Sequence, residues 1–179
     1  VGIGNIGREV AKIAQAFSMK VVVHARPRHK KWIESEGFIY AHTIEEAAKG
    51  ADFISFHTGL GVPNAESGKF ENEGMISESV LNGLNDGAVL INYDRGEVVE
   101  AQALDKVLSS GKVRYAAIDA DIFKNPESGE ITGPMAPYLD LAKKHSGKLE
   151  LLPHAAADTE HVSRVEGAKQ AVDQIFSVI

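Results

Sequence analysis

Three glycines at the start of the chain have a spacing that suits the binding of a pyrophosphate. Gly2, Gly4 and Gly7 spell G-x-G-x-x-G in VGIGNIG, directly before an amphipathic segment. In such a loop the glycines permit a tight turn, a close approach of the backbone to phosphate, and close packing of helix on strand. A helix that follows the loop offers its positive end to the phosphates. We therefore predict that these glycines, with Asn5 and Ile6, bind a dinucleotide; the alternative is a glycine-rich turn without a ligand.

The end of the next apolar run bears on the choice of dinucleotide. A carboxylate about 20 residues after the glycines, at the end of the second strand, binds the ribose 2′-hydroxyl in NAD-binding domains. Here Ala25 occupies that place, and Arg26 and the basic stretch RHKK follow. A guanidinium attracts a 2′-phosphate that a carboxylate would repel. The sequence predicts NADP(H), with Arg26 as a contact; the alternative is a solvated helix turn and NAD(H) as the cofactor.

The elements that must position these residues alternate along the chain. Short apolar runs predict strands at 20–25, 38–40, 52–57, 88–92, 115–119 and 149–152. Amphipathic stretches predict helices after the glycines and at 28–37, 43–50, 77–84, 101–111, 135–145 and 158–178. In the first helix, one face is expected to be buried. That face consists of Ile6, Val10, Ile13, Ala14 and Phe17.

Strands separated by helices require right-handed crossovers and a parallel sheet covered on both faces. The predicted fold class is therefore α/β, a doubly wound parallel sheet of the Rossmann type whose first strand is cut by the start of the chain. Ligands of such sheets bind beyond the carboxyl ends of the strands. The polar residues that follow the strands are Arg26, His57, Asn92 to Arg95, Asp119 and His154.

Composition excludes several classes of function. The 179 residues carry a formal charge of −6, which argues against binding to nucleic acid or to a membrane surface. No cysteine is present, so the chain has no disulfide, no thiolate nucleophile and no cysteine-based metal site. No apolar stretch approaches the roughly 20 residues that span a bilayer. We expect a cytoplasmic protein without a bound metal.

Five blocks in order along nearly the whole chain carry a family resemblance. They are VGIGNIG, DFISFHTGL, GAVLINYDRGEVVEAQAL, YAAID and LLPHAAADTE. With them the chain resembles the cofactor-binding domain of the D-isomer-specific 2-hydroxyacid dehydrogenases. That family includes phosphoglycerate dehydrogenase, glyoxylate/hydroxypyruvate reductase and D-lactate dehydrogenase. The third and last blocks are more diagnostic than the glycines.

The resemblance implies a catalytic set. It assigns Arg95, in NYDRG, to the substrate carboxylate and carbonyl, a role that suits a planar guanidinium. It assigns His154, after Pro153, to proton donation. A glutamate should orient this histidine, but the usual Glu-Pro order is reversed in NPESGE. We expect Glu127 in that role, with Asp121 and Glu130 as alternatives.

The resemblance also implies contacts to the cofactor. Besides the glycine loop and Arg26, the expected residues are His57, Thr58, Gly59, Asn92, Tyr93, Asp94, Asp119 and Ala156. Tyr93 and Asp94 depart from the small residues that usually precede the arginine. Asp94 either weakens the anion site or orients the guanidinium of Arg95.

The resemblance implies a reductase of small 2-oxo acids, such as glyoxylate or hydroxypyruvate, and the basic residues after the second strand add a preference for NADPH. One alternative is an NAD-dependent D-3-phosphoglycerate dehydrogenase. Another, from a different class, is a dinucleotide-sensing protein of the corepressor kind, which the presence of Arg95, His154 and Glu127 argues against. We expect residues 1–179 to form one dinucleotide-binding domain. The substrate domain would lie upstream, so the isolated domain should be inactive and the full-length protein a homodimer.

Overall fold

The apolar runs of the sequence form strands in the computed structural model, which describes residues 1–153 together with Val165 and Lys169. The strands are β1 Val22–His24, β2 Ile39–Ala41, β3 Phe53–Ser55, β4 Ala88–Asn92, β5 Val113–Asp119, β6 Phe123–Lys124, β7 Ile131–Thr132 and β8 Leu149–Leu152. Six of them match the strands that the sequence predicts. The short antiparallel pair β6–β7 is an addition that the sequence pattern does not predict.

The parallel strands form two groups. β1 pairs with β2, and β3, β4, β5 and β8 form a four-stranded sheet in that order. The registers place Val23 opposite Tyr40, and Leu90 between Ile54 and Ala116. All of these pairings are parallel, as helical crossovers require.

The first residues of the chain join the two groups of strands. The Gly2 N–H donates to the His24 carbonyl (2.8 Å). On the other side the Val1 amine donates to the Ser55 carbonyl (2.7 Å), and the His57 N–H donates to the Val1 carbonyl (2.8 Å). Residues 1 and 2 therefore lie where the central strand of a Rossmann-type sheet belongs, between β1 and β3.

The helices are α1 Asn5–Ala16, α2 Lys30–Ser35, α3 Ile44–Ala48, α4 Glu78–Asn82, α5 Ala101–Ser110 and α6 Ala136–Lys144. Their ends follow local rules. The Thr43 side chain caps α3 by accepting the Glu46 N–H (3.1 Å). Gly111 ends α5 in the left-handed conformation, at φ +80°. The predicted helix at 158–178 lies outside the continuously described residues, and within them no helix has both the length and the apolar character needed to cross a bilayer.

Two hydrophobic clusters hold these elements. The larger packs the β3–β4–β5–β8 sheet against α4, α5 and α6 and includes the fully buried Phe56, Leu90 and Leu104. The smaller lies beneath β1 and β2, around Val23 and Ile33. Burial of one such side chain contributes about 1.5–3 kcal/mol, so these clusters fix the strands whose ends form the site.

The predicted buried face of α1 is wrong. Four large side chains of that face are exposed by 37–75%: Ile6, Val10, Ile13 and Phe17. The buried residues of α1 are Gly7 and Ala11. The helix lies so close to the loop before it that a Cβ on Gly7 would stand 2.7 Å from the Gly2 carbonyl oxygen. Small residues therefore face the sheet, and the apolar stripe faces outward.

Candidate functional site

The glycine loop has the geometry that a pyrophosphate site needs. Gly2 has φ +85°, and a Cβ there would stand 2.2 Å from the His57 carbonyl oxygen. Gly7 is also crowded, whereas a Cβ on Gly4 would meet no atom within 4 Å. Gly2 and Gly7 thus serve close packing, and Gly4 borders open space. This arrangement fits a dinucleotide that approaches the backbone at the second glycine.

The start of α1 is suited to an anion. Gly4 is the N-cap residue and supplies no side-chain hydrogen bond, and the first turn contains no acidic residue. The partial positive charge of the helix end is therefore not offset by a carboxylate of its own first turn. Asn5 and Ile6, both exposed, lie in this first turn, as the sequence predicts. A phosphate beside Gly4 would meet this helix end.

A basic cluster lies at the carboxyl end of β1. Ala25 is buried at the place of the usual carboxylate, and Arg26 follows it in an exposed position. His29 has its pKa lowered by burial and then by the positive charges of Arg28, Arg8 and Arg26. Arg28 also donates to the His29 ring (3.2 Å). The cluster provides a local positive potential at this end of the sheet.

Arg8 belongs to this cluster, and sequence reasoning missed it. Its guanidinium lies over the ring of Trp32, 4.3 Å from the centroid, and its Nε donates to the Ile3 carbonyl (3.4 Å). Such a cation–π contact holds the charge in place. The sequence did indicate its position, because Arg8 follows Gly4 by one helical turn and so lies at the same end of α1 as the glycine loop.

Asp94 joins the loop after β3 to the loop after β4. Its Oδ2 accepts the backbone N–H groups of Thr58 and Gly59, each at 2.6 Å. The fully buried Asn92 completes the turn, since its amide donates to the Arg95 carbonyl (2.7 Å) and its oxygen accepts the Asp94 N–H (3.2 Å). The carboxylate therefore serves the backbone of the neighbouring loop, and the two loops form one unit.

His57 connects that unit to the glycines. Its Nε2 lies 3.0 Å from Ser55 Oγ, and its Cβ would be 3.3 Å from a Cβ on Gly7. Its pKa is lowered by burial, with Asp94 acting in the opposite direction. His57 is thus a packing residue between the glycine loop and the loop of Asp94.

The Arg95 side chain is half-exposed at the carboxyl edge of the sheet. Its Nη1 lies 3.9 Å from Asp121 Oδ2, and the two side chains are exposed by 45% and 40%. The next residue, Gly96, is buried, and a Cβ there would be 2.6 Å from the Ala120 Cβ. Arg95 therefore projects from a turn whose backbone is packed, with its charged end open to a ligand. Tyr93, two residues earlier, is exposed by 52%.

The candidate carboxylates occupy different places. Asp119 is buried at the end of β5, and Asp121 lies next to Arg95. Glu127 and Glu130 are exposed in the segment between β6 and β7, where the Glu127 N–H donates to Asn125 Oδ1 (2.8 Å). The structure thus brings Asp121, one of the alternatives to Glu127, to the arginine. His154 and Ala156 lie outside the described residues.

Comparison with known proteins agrees with this arrangement. A family model described as "D-isomer specific 2-hydroxyacid dehydrogenase, NAD binding domain" matches residues 1–137. An erythronate-4-phosphate dehydrogenase of Bacteroides thetaiotaomicron is 36% identical over 119 residues, 66% of this chain and 32% of that protein. A glyoxylate reductase of Aeropyrum pernix is 30% identical over 177 residues, 99% of this chain and 47% of that protein.

A solved structure extends the likeness to the fold. The D-isomer specific 2-hydroxyacid dehydrogenase from Lactobacillus delbrueckii ssp. bulgaricus, in its NAD complexed form, superposes with a TM-score of 0.68 at 28% identity. The match covers 99% of this chain and 51% of that one. The Rossmann-type α/β fold that the sequence predicts is confirmed. The chain spans about a third to a half of the length of these proteins.

Proposed function

The chain belongs to the D-isomer specific 2-hydroxyacid dehydrogenase family, and on this premise we propose that the protein transfers a hydride between NADPH and a small 2-oxo acid such as glyoxylate or hydroxypyruvate. One observation carries the proposal. A continuous series of contacts runs from the glycine loop through His57, Thr58 and Asp94 to Arg95. This series supports the placement of the proposed dinucleotide site and of the Arg95 guanidinium at one edge of the sheet, as carbonyl reduction requires.

Arg95 is the proposed substrate anchor. Its guanidinium offers parallel N–H donors to a carboxylate, and a donor near the carbonyl stabilises the charge that develops on that oxygen. The half-exposed side chain leaves these donors accessible. The nicotinamide supplies the hydride when it is bound.

His154 is the proposed proton donor to the carbonyl oxygen, because an imidazole exchanges a proton near neutral pH. We propose Glu127 as the carboxylate that orients it, with Asp121 and Glu130 as the alternatives. The three are separated by the pH dependence of kcat/KM in Asp121→Asn, Glu127→Gln and Glu130→Gln variants of the full-length protein. Because His154 must be protonated to donate, the variant that moves the alkaline limb of the reductive reaction to lower pH identifies its partner. A profile unchanged in Glu127→Gln would exclude Glu127.

The preference for NADPH rests on the basic cluster. The positive charges of Arg8, Arg26 and Arg28 all act on His29 at this end of the sheet, and buried Ala25 stands where a carboxylate would bind the ribose 2′-hydroxyl. A hydrogen bond between a guanidinium and a phosphate contributes about 1.5–3 kcal/mol. NAD, which the Lactobacillus delbrueckii structure contains, is the alternative.

Steady-state kinetics of the full-length protein test this assignment. With glyoxylate as substrate, kcat/KM for NADPH should exceed that for NADH by at least about tenfold, the factor that 1.4 kcal/mol gives. Arg26→Ala should lower the value for NADPH by a similar factor and leave that for NADH within about twofold. Lys12→Ala is the matched control, because Lys12 is an exposed cation of α1 that pairs with Glu9. Equal efficiencies with the two cofactors would contradict the preference.

The substrate panel should also contain phosphorylated acids. The relative from Bacteroides thetaiotaomicron is an erythronate-4-phosphate dehydrogenase by name, which favours testing that acid and 3-phosphoglycerate in the oxidative direction. A nucleotide-sensing protein without catalysis would turn over none of this panel. In an active enzyme, His154→Asn tests the proton donor. If the variant turns over 2-oxo acids as fast as the wild type, His154 is not the proton donor. If the wild type turns over none of the panel, the proposed function is wrong.

A further inference from the structure

The segment between β5 and β8 contacts the turn that carries Arg95 at two points. At its start, the Asp121 carboxylate faces the guanidinium of Arg95. Further along, α6 brings Tyr138 beneath the backbone of the same turn. The two points are tied together, because the Met135 N–H donates to the Asp121 carbonyl (3.0 Å) and the Tyr138 N–H donates to the Met135 carbonyl (2.9 Å).

The Tyr138 hydroxyl lies within hydrogen-bonding distance of two backbone carbonyls. It reaches the Gly96 oxygen at 2.8 Å and the Val99 oxygen at 2.5 Å. These carbonyls belong to the first and last residues of the turn that follows Arg95, in which the Val99 N–H also donates to the Gly96 carbonyl (3.2 Å). One hydroxyl therefore joins both ends of this turn to α6.

The ring and the hydroxyl of Tyr138 have separate roles. The side chain is 2% exposed and packs in the larger hydrophobic cluster beside Met135. A buried hydroxyl must find an acceptor, and this one meets carbonyls of the Arg95 turn rather than of its own helix. Burial, with a smaller contribution from Glu97, raises the pKa of the phenol well above its usual range, so the group is a donor throughout the physiological range.

We propose that Tyr138 is a positioning residue for Arg95. The Tyr138 hydroxyl fixes the turn that follows Arg95, so that the guanidinium meets the substrate carboxylate. The inference rests on the proposed function, because it assigns Tyr138 to the substrate half of the site. It also gives a role to the segment between β5 and β8. Gly96 permits the arrangement, since any side chain there would meet Ala120.

The test is Tyr138→Phe in the full-length protein, which removes the hydroxyl and keeps the ring. The kcat/KM with glyoxylate should fall about tenfold, mainly through KM, because a lost buried hydrogen bond allows the turn to move. The Kd for NADPH should stay within about twofold, measured from the change in NADPH fluorescence on binding. The control is Tyr115→Phe, which removes the bond from Tyr115 to Glu150 near the start of β5.

Hydrogen exchange supplies a second measurement that does not depend on turnover. The Val98 and Val99 amides, which donate to the Arg95 and Gly96 carbonyls at 3.2 Å, should exchange at least about tenfold faster in Tyr138→Phe, while amides of α1 stay unchanged. Unchanged exchange at these two amides would overturn the inference. So would a Kd for NADPH and a KM for glyoxylate that rise in parallel. A wild type that turns over no 2-oxo acid would overturn the proposed function and the substrate role of Tyr138 together. If the wild type is active but Tyr138→Phe changes neither the KM for glyoxylate nor the exchange of these amides, the inference fails and the proposed function stands.

Discussion

Removal of the Asp94 carboxylate should destabilise the chain by about 2–4 kcal/mol at neutral pH. One carboxylate oxygen accepts two backbone N–H groups at 2.6 Å, from Thr58 and Gly59. A hydrogen bond to a charged group contributes about 1.5–3 kcal/mol, which gives about 3–6 kcal/mol for two. The atoms are only partly buried, so water replaces part of what Asp94→Ala removes. The lower range follows.

Urea denaturation of the full chain measures this loss. Domains of this size have m values of about 2 kcal/mol per M, so the midpoint for Asp94→Ala should fall by about 1–2 M with m unchanged. Asp94→Asn keeps an oxygen acceptor without the charge and should lose about half as much. Asp86→Ala is the matched control, because the Asp86 side chain is 91% exposed in its ion pair with Lys112. A surface pair of this kind contributes at most about 1 kcal/mol.

The result that would refute the reasoning is an Asp94→Ala midpoint indistinguishable from that of Asp86→Ala. The two N–H groups would then be satisfied equally well by water, and the carboxylate would not hold the loops together. Asp94→Asn matching Asp94→Ala would show that the charge, rather than the oxygen, provides the stability. In that case Asp94→Asn and Asp94→Ala should also lose dinucleotide affinity equally, because Thr58 and Gly59 would move in both variants.

The remaining predictions concern the glycine loop and the contact between α5 and α6. Gly4→Ala should leave the melting temperature within about 2 °C and weaken dinucleotide binding at least about tenfold. Gly7→Ala should destabilise the fold by about 2 kcal/mol or more, because its Cβ meets a carbonyl oxygen. Thermal melts with a binding titration check both variants, and the opposite ranking would contradict the assignment. Hydrogen bonds from Lys144 and then His145 hold the pKa of Asp105 below its usual range. Because the folded pKa is the lower one, the bonds stabilise the fold above the unfolded pKa and are lost as the pH falls through the folded value. Asp105→Asn should therefore cost about 1 kcal/mol at pH 7 and progressively less as the pH falls below the usual carboxyl range, as urea melts at a series of pH values would show. A cost independent of pH would exclude the carboxylate as the cause.

Element positions were predictable from the sequence because their signals are local. A helix end depends on residues three or four positions apart, as Thr43 and Glu46 show at α3. The apolar runs identified the strands of the parallel sheet for the same reason. The pair β6–β7 escaped prediction because each strand has only two residues and both are exposed, so no periodic pattern arises.

The orientation of α1 could not be predicted from periodicity. An apolar stripe at helical spacing shows that one face of a helix is apolar, but not which face meets the sheet. Here the distance between helix and loop decides, and that distance is set by Gly7. The small residues Gly7 and Ala11 fit the narrow gap, and Phe17, 75% exposed, does not lie there.

The site divides along the same line. The role of the glycines follows from a short local pattern, so the amino-acid sequence alone predicts it. Asp94 binds partners 35 and 36 positions away, and Tyr138 reaches Gly96 across 42 positions. Both residues were visible in the sequence, but no local rule connects them to their acceptors and donors.

These long-range contacts couple the two halves of the candidate site. Tyr138 fixes the turn that follows Arg95. Asp94, which directly precedes Arg95, accepts a hydrogen bond from the loop of Thr58. That loop in turn packs against Gly2 through the His57 carbonyl. Arg95, the proposed substrate anchor, and the glycine loop therefore share one packed backbone. A change at Tyr138 should diminish towards the glycines, because each link is a separate hydrogen bond or contact that relaxes part of the displacement. We therefore expect substrate KM to be more sensitive to substitutions in α6 than dinucleotide affinity is.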